Sequence, residues 1–233
     1  MRFSLTDDQV ALREAVRDLL AKESPDAEST YAALVDMGVT QVLVPEAKGG
    51  LGMDEVTAAV ILEEAGYAGV SFPIIGRVMG VNASEDEGDG NSDPMSLGAA
   101  ALLVGLGQRM LDLTVDHVKA REQFGVPIGS FQAVKHHLAN ALMELSFARP
   151  AVHRAAWSTA NGAPSTARDV SMAKAMASDA ASFTGRQALQ CHGAIGYTVE
   201  YDLHRFLKRT WVLARSHGDA AWHRGRIAGA LEI

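Results

Sequence analysis

One cysteine, Cys191, is present in 233 residues, so no internal disulfide is available and the chain suits a reducing compartment. No apolar run approaches the roughly 20 residues of a membrane-spanning helix, because charges or glycines interrupt every hydrophobic stretch. The opening residues, Met1-Arg2-Phe3-Ser4-Leu5-Thr6-Asp7-Asp8, have no basic segment leading into an apolar one. The expectation is therefore a soluble, cytoplasmic protein with no signal peptide and no membrane partner. Positive charge is also in deficit: a formal net charge of -7 argues against a nucleic-acid partner, although a local pair of arginines still suffices for a small anionic cofactor. What is there is ordinary for a globular chain, 48% hydrophobic and 21% charged, enough for one large domain or two small ones with real cores.

Thr6-Asp7-Asp8-Gln9 has the form of a capping box, and Val10, Leu12, Val16, Leu19 and Leu20 follow at helical spacing up to Ser24-Pro25. Tyr31 to Met37 reads as a second helix closed by Gly38, Val42 to Pro45 as extended, and Lys48 to Gly52 as a turn-rich loop. Asp54 is placed to cap a third helix ending at Gly66. Asn82 to Asp93 concentrates acidic and small residues with almost nothing to bury, which predicts a flexible loop or linker. From Leu97 onward the pattern is helical: Leu97 to Lys119, Phe131 to about Trp157, a segment from Ser165 or Thr166 to Leu189, then one or two shorter helices. Short turns between them suggest an antiparallel four-helix bundle. The expected organisation is all-α, with an N-terminal helical domain over 1–76, an acidic linker over 77–95 and the bundle over 96–233.

Two stretches carry polar groups at breaks between helices. In Arg121-Glu122-Gln123-Phe124-Gly125-Val126-Pro127-Ile128, followed by Phe131-Gln132, an arginine and a glutamine flank a glycine–proline turn, a corner able to hold a phosphate and a ring edge. In Gln190-Cys191-His192-Gly193-Ala194-Ile195-Gly196-Tyr197, two glycines three apart let backbone approach a ligand closely. Taken alone, each also reads as a simple helix break. Gly105-Leu106-Gly107 lies mid-helix with no strand before it, so it makes a poor nicotinamide-type dinucleotide motif. His192, His204, His217 and His223 lack the Glu-x-x-His pairing of carboxylate-bridged metal bundles, and Met172 and Met176 are read as core packing, so no metal site is expected.

Together, Arg-x-Gln-Phe-Gly followed by Phe-Gln, then Gln-x-x-Gly-x-x-Gly-Tyr, resemble the C-terminal helical domain of the acyl-CoA dehydrogenases. Leu34 to Gly38, Val44-Pro45-Glu46, Gly49-Gly50-Leu51-Gly52 and Glu63-Glu64-Ala65-Gly66 are similar to that family's N-terminal part, so the resemblance covers almost all the chain except the linker. It implies that Arg121 and Gln132, with Phe124 beside them, bind the FAD of a neighbouring subunit. It further implies that Gln190, His192, Gly193 and Ala194 contact the adenine and ribose side, and that Asp219, in place of the usual threonine, also belongs to the cofactor site. Cofactor binding then implies a homo- or hetero-oligomer, with an acyl-CoA as substrate and an electron-transfer flavoprotein as the suggested acceptor.

Where the chain departs from the family pattern, the catalytic base is affected. The usual glutamate falls twenty-seven residues after the loop glutamine, and that position is His217. The alternative family position, near the start of the long helix, falls at about Met95, flanked by Asp93. Full-length members also carry a β-domain where this chain has only the acidic stretch. Three readings follow. The chain is an active dehydrogenase with His217 or Asp93 as base, or a subunit whose base comes from a full-length homologue as in heteromeric sterol-type enzymes. The third is a helical interaction or scaffold subunit without flavin.

Overall fold

The computed structural model describes residues 4–22, 27–70, 74–81 and 92–232. Among them the regular elements run α1 (Asp7–Lys22), α2 (Ala27–Asp36), α3 (Glu55–Ala68), α4 (Ile75–Val78), α5 (Asp93–Ala120), β1 (Glu122–Gln123), β2 (Val126–Pro127), α6 (Gln132–Ala160), α7 (Thr166–His192), α8 (Leu203–Arg215) and α9 (Ala220–Ala230). The all-α class holds. The two strands form only a small antiparallel hairpin, Glu122 opposite Pro127, at the corner between α5 and α6. Among the described residues no helix is long and apolar enough to cross a membrane.

Local chemistry fixes the first helices. The Thr6 amide donates to Gln9 Oε1 at 3.0 Å and the Gln9 amide donates to Thr6 Oγ1 at 3.2 Å, so the expected capping box forms. Gln9 Nε2 also donates to Asp54 Oδ1 at 3.2 Å, and Asp54 caps α3 by accepting from the Thr57 amide at 3.0 Å. One side chain thereby ties the starts of α1 and α3 together.

α5 is the axis of the molecule. Residues Met95 to Gly107 are buried without interruption, as expected of a helix surrounded on every side. α6 and α7 complete the long layer, with α8 and α9 packed across α7. α3 reaches α5 through two glycines: a Cβ on Gly66 would lie 2.2 Å from the Leu102 carbonyl oxygen, and one on Gly105 would lie 1.9 Å from that of Glu63. Ion pairs flank this joint, Arg17 of α1 to Glu64 at 2.6 Å and Arg149 of α6 to Glu63 at 2.5 Å. They line a polar cavity of about 480 Å³ between α1, α3, α5 and α6.

Several boundaries differ from expectation. Residues 42–45 are not extended: the Gly50 and Gly52 amides bond back to the Pro45 and Val44 carbonyls, folding the stretch into a loop around buried Val42. α3 runs past Gly66 to a left-handed cap at Gly69, because Gly66 serves close helix packing and not termination. α5 starts at Asp93, four residues before Leu97, with Pro94 in its first turn where a missing amide is no loss. The part of the acidic run at 82–91 lies outside the described residues. Met172 is 41% exposed, so core packing explains Met176 but not Met172.

The glycine contacts predict opposite outcomes for one substitution. Gly105→Ala should destabilise the protein by about 1–3 kcal/mol or more through overpacking. Gly225→Ala, mid-helix with nothing within 4 Å of the new Cβ, should stabilise it by about 0.5–1 kcal/mol. Urea unfolding of both variants checks this, and equal effects would contradict the packing assigned to α3 and α5.

Candidate functional site

The two polar motifs meet at the C-terminal ends of α5 and α7. His117, in the last turn of α5, stacks on His192, the last residue of α7, with centroids 4.2 Å apart and planes 22° apart. Tyr201 packs against both rings. Because α5 and α7 run parallel, this stack places Arg121, one turn beyond His117, at the same end of the bundle as Gln190 to Ala194. Arg121 caps α5, and its carbonyl accepts from the Ile128 amide at 2.8 Å, which fixes the hairpin corner. At the hairpin tip Phe124 takes a φ of 54° and stands 93% exposed, its ring edge-on to Phe131 at 6.3 Å.

Most polar groups at this end are uncommitted. Among the described residues no hydrogen bond or ion pair engages the side chains of Arg121, Gln132 or Gln190, and all three are exposed. Gly193 has a φ of 61° and open space where a Cβ would stand. His192 is buried; its Nδ1 lies 2.8 Å from the Ala188 carbonyl oxygen, so Nδ1 carries the proton and Nε2 is left as a buried acceptor without a partner. Burial lowers the pKa of both stacked histidines, with the Arg121 charge adding to the effect at His117. A neutral stacked pair results, flanked by a free guanidinium.

The remaining predicted residues lie at the opposite end of α5. His217 sits in the turn between α8 and α9 with a φ of 56°. Its carbonyl accepts from Ser96 Oγ at 3.0 Å and from His223 Nε2 at 2.9 Å. The α5 start and the position twenty-seven residues after Gln190 are thus neighbours in space. Asp93 is not on a loop: it opens α5 and its carboxylate is engaged by Arg226 at 2.7 Å. Asp219 is exposed and caps α9, accepting from the Trp222 amide at 2.8 Å. Within one chain the structure therefore joins Arg121, Phe124 and Gln132 to the Gln190–Ala194 loop, and separates all of them from His217, Asp93 and Asp219.

Sequence reasoning missed the two groups beneath the His217 turn. Lys174 is fully buried on α7, and burial pulls its pKa down to about 8 against the opposing charge of Asp219. His223 is fully buried on α9, and burial lowers it to about 4, with Lys174 and Arg226 pushing the same way against the His217 hydrogen bond and Asp93. A signal for Lys174 was available: it interrupts the apolar face made by Val170, Ala173, Ala177 and Ala181. Among the described residues no cluster of three or more His, Cys, Asp or Glu side chains could hold a metal ion.

Residues 93–232 match the family model for the acyl-CoA dehydrogenase C-terminal domain, and residues 6–85 match that for the N-terminal domain. The chain belongs to the acyl-CoA dehydrogenase family. Only ten residues, 82–91, separate the described ends of the two parts, so no β-domain is inserted between them. The probable acyl-CoA dehydrogenase YngJ of Bacillus subtilis is 39% identical over 132 residues, 57% of this chain and 34% of the relative. This chain thus spans about a third of that relative's length. The fold is similar to butyryl-CoA dehydrogenase from Megasphaera elsdenii, with a TM-score of 0.88 at 18% identity and 100% of both chains covered. It is also similar to the ChsE4–ChsE5 complex from Mycobacterium tuberculosis, with a TM-score of 0.85 at 18% identity, covering 100% of this chain and 99% of that one.

His223 gives a pH prediction with a definite sign. Its folded pKa of about 4 lies below the ordinary 6.5, so the unfolded chain takes up the proton first. Its contribution is fully present above pH 6.5 and falls as the pH drops toward 4. The thermal midpoint should decline across that window, and His223→Gln, which keeps a donor but does not titrate, should flatten the decline. Equal pH slopes in parent and variant would contradict the assignment.

Proposed function

We propose that the chain is a flavin-binding subunit for α,β-dehydrogenation of an acyl-CoA thioester, contributing half of a site completed by another chain and lacking the usual glutamate. The observation that carries this reading is the set of unengaged polar groups at one end of the bundle: Arg121, Gln132, Gln190 and the buried Nε2 of His192. These residues fit FAD. The Arg121 guanidinium suits bidentate contact with a pyrophosphate. Gly193 leaves room for close approach, and His192 Nε2 can accept from an adenine amino group or a ribose hydroxyl. Phe124, exposed at the hairpin tip, offers a ring face beside them.

Bound at these residues, FAD would supply the acceptor for the hydride leaving the substrate β-carbon. The chain's own residues must bind and orient, and one group must take the α-proton. The carboxylate of Asp93 is paired with Arg226, and an imidazole at the His217 position is chemically able to accept a proton in its neutral form. Two facts support the half-site reading. The flavin-type groups and His217 lie at opposite ends of α5, and no β-domain is inserted between the two helical parts to cover a flavin ring. The completing chain is a second copy or, better, a full-length homologue that brings its own glutamate and β-domain, with an electron-transfer flavoprotein as acceptor. Fold likeness to a two-protein complex, ChsE4–ChsE5, favours the heteromeric form.

Two variants test this. Arg121→Ala should weaken flavin retention on the order of tenfold to a hundredfold, the usual worth of a charged hydrogen bond. It is read from the visible spectrum after purification and dialysis, and unchanged occupancy would make Arg121 structural. His217→Ala should abolish acyl-CoA oxidation by the chain alone while leaving activity with a glutamate-bearing partner. Unchanged turnover of the isolated variant would move the base elsewhere, and a protein that stays colourless with added FAD would leave the scaffold reading in its place.

A further inference from the structure

The turn joining α8 to α9 holds a residue in a costly conformation. His217 has a φ of 56°, a region where a side chain with a Cβ is disfavoured. Such a conformation persists only where its surroundings over-determine it. Here three helices supply the constraint. Ser96 from α5 and His223 from α9 both meet the His217 carbonyl, at 3.0 Å and 2.9 Å. From α7, Lys174 Nζ donates to the next carbonyl, that of Gly218, at 3.0 Å. Nζ also donates to the Ala214 carbonyl in the last turn of α8 at 3.3 Å and to Ser178 Oγ at 3.1 Å.

An ammonium has three donors, and here it meets three acceptors. Ser178, one turn along α7, fixes the side chain's direction, and Ala214 is among the carbonyls that a helix end leaves without partners. Complete burial of a lysine is unfavourable unless such partners compensate for lost water. The surrounding face of α7, with Val170, Ala173, Ala177 and Ala181, would accept an apolar residue at this point. The ammonium therefore serves the turn.

We propose that Lys174 is the positioning residue of the α8–α9 turn: by gripping the Ala214 and Gly218 carbonyls it holds His217 in the left-handed conformation and so sets where the imidazole points. The consequence for catalysis rests on the reading of His217 as part of the half-site; the conformational role does not.

A double-mutant cycle of K174M with H217G on the full chain, followed by urea unfolding and amide exchange, tests this. Glycine adopts a positive φ without strain, so it removes the need for the grip. K174M in the parent should speed exchange at residues 216–219 on the order of tenfold relative to the centre of α5. In the H217G background it should raise the unfolding constant by roughly fivefold less than in the parent, a coupling typical of residues that act on one element. Additive effects, with exchange accelerated along α7 and not in the turn, would show that Lys174 serves only the core and would overturn the proposal. If K174M does not fold, K174Q, shorter but polar, completes the same cycle. No flavin or substrate enters the measurement. A colourless protein would thus sink the flavin reading while the cycle still decides the role of Lys174.

Discussion

Where α3 meets α5, backbone lies directly on backbone, with Gly66 against the Leu102 carbonyl and Gly105 against that of Glu63. The rest of the molecule depends on this approach, because it lets one helix run through both the N-terminal part and the bundle. The buried cluster accordingly extends without a break from Val16 in α1 to Leu213 in α8. Two matches to separate family domains thus fold around a single core, and the joint needs no intervening domain to hold it. Charge at its rim reinforces the contact. Burial works against ionisation of Glu63, but the His153 ring, with Nε2 3.5 Å from its carboxylate, and the Arg149 charge hold its carboxyl below the ordinary value.

The length of α5 then shapes the function. At about 1.5 Å per residue, a helix from Asp93 to Ala120 separates its ends by roughly 40 Å. The free arginine and glutamines lie at one end and the His217 turn at the other. On the proposed reading, a dinucleotide that meets both kinds of group is shared between two chains, one giving its Arg121 end and the other its His217 turn.

Much of this could be read from the sequence where a few adjacent residues decide the outcome. The Thr6–Gln9 capping box, the Asp54 cap and the break at Gly193 depend on local spacing, and each forms in the structure. Tertiary contacts decided the rest. Gly66 resembles a helix terminator in sequence but is a packing contact. The acidic composition before Leu97 hid the helix start at Asp93, which Arg226, far along the chain, helps to hold. His223 was legible only as a histidine, and Lys174 only as a charge interrupting an apolar helix face. Their meaning comes from carbonyls of a turn that pairwise spacing along the chain does not disclose.

If the proposed flavin site is shared between chains, flavin binding and assembly must rise and fall together. Sedimentation velocity of the FAD-loaded protein, recorded together at a protein and a flavin wavelength across a dilution series, tests it most directly. For a shared site, flavin absorbance should sediment only with the dimer or a larger assembly and be released as the protein dissociates. Flavin sedimenting with a stable monomer at close to one per chain would contradict it.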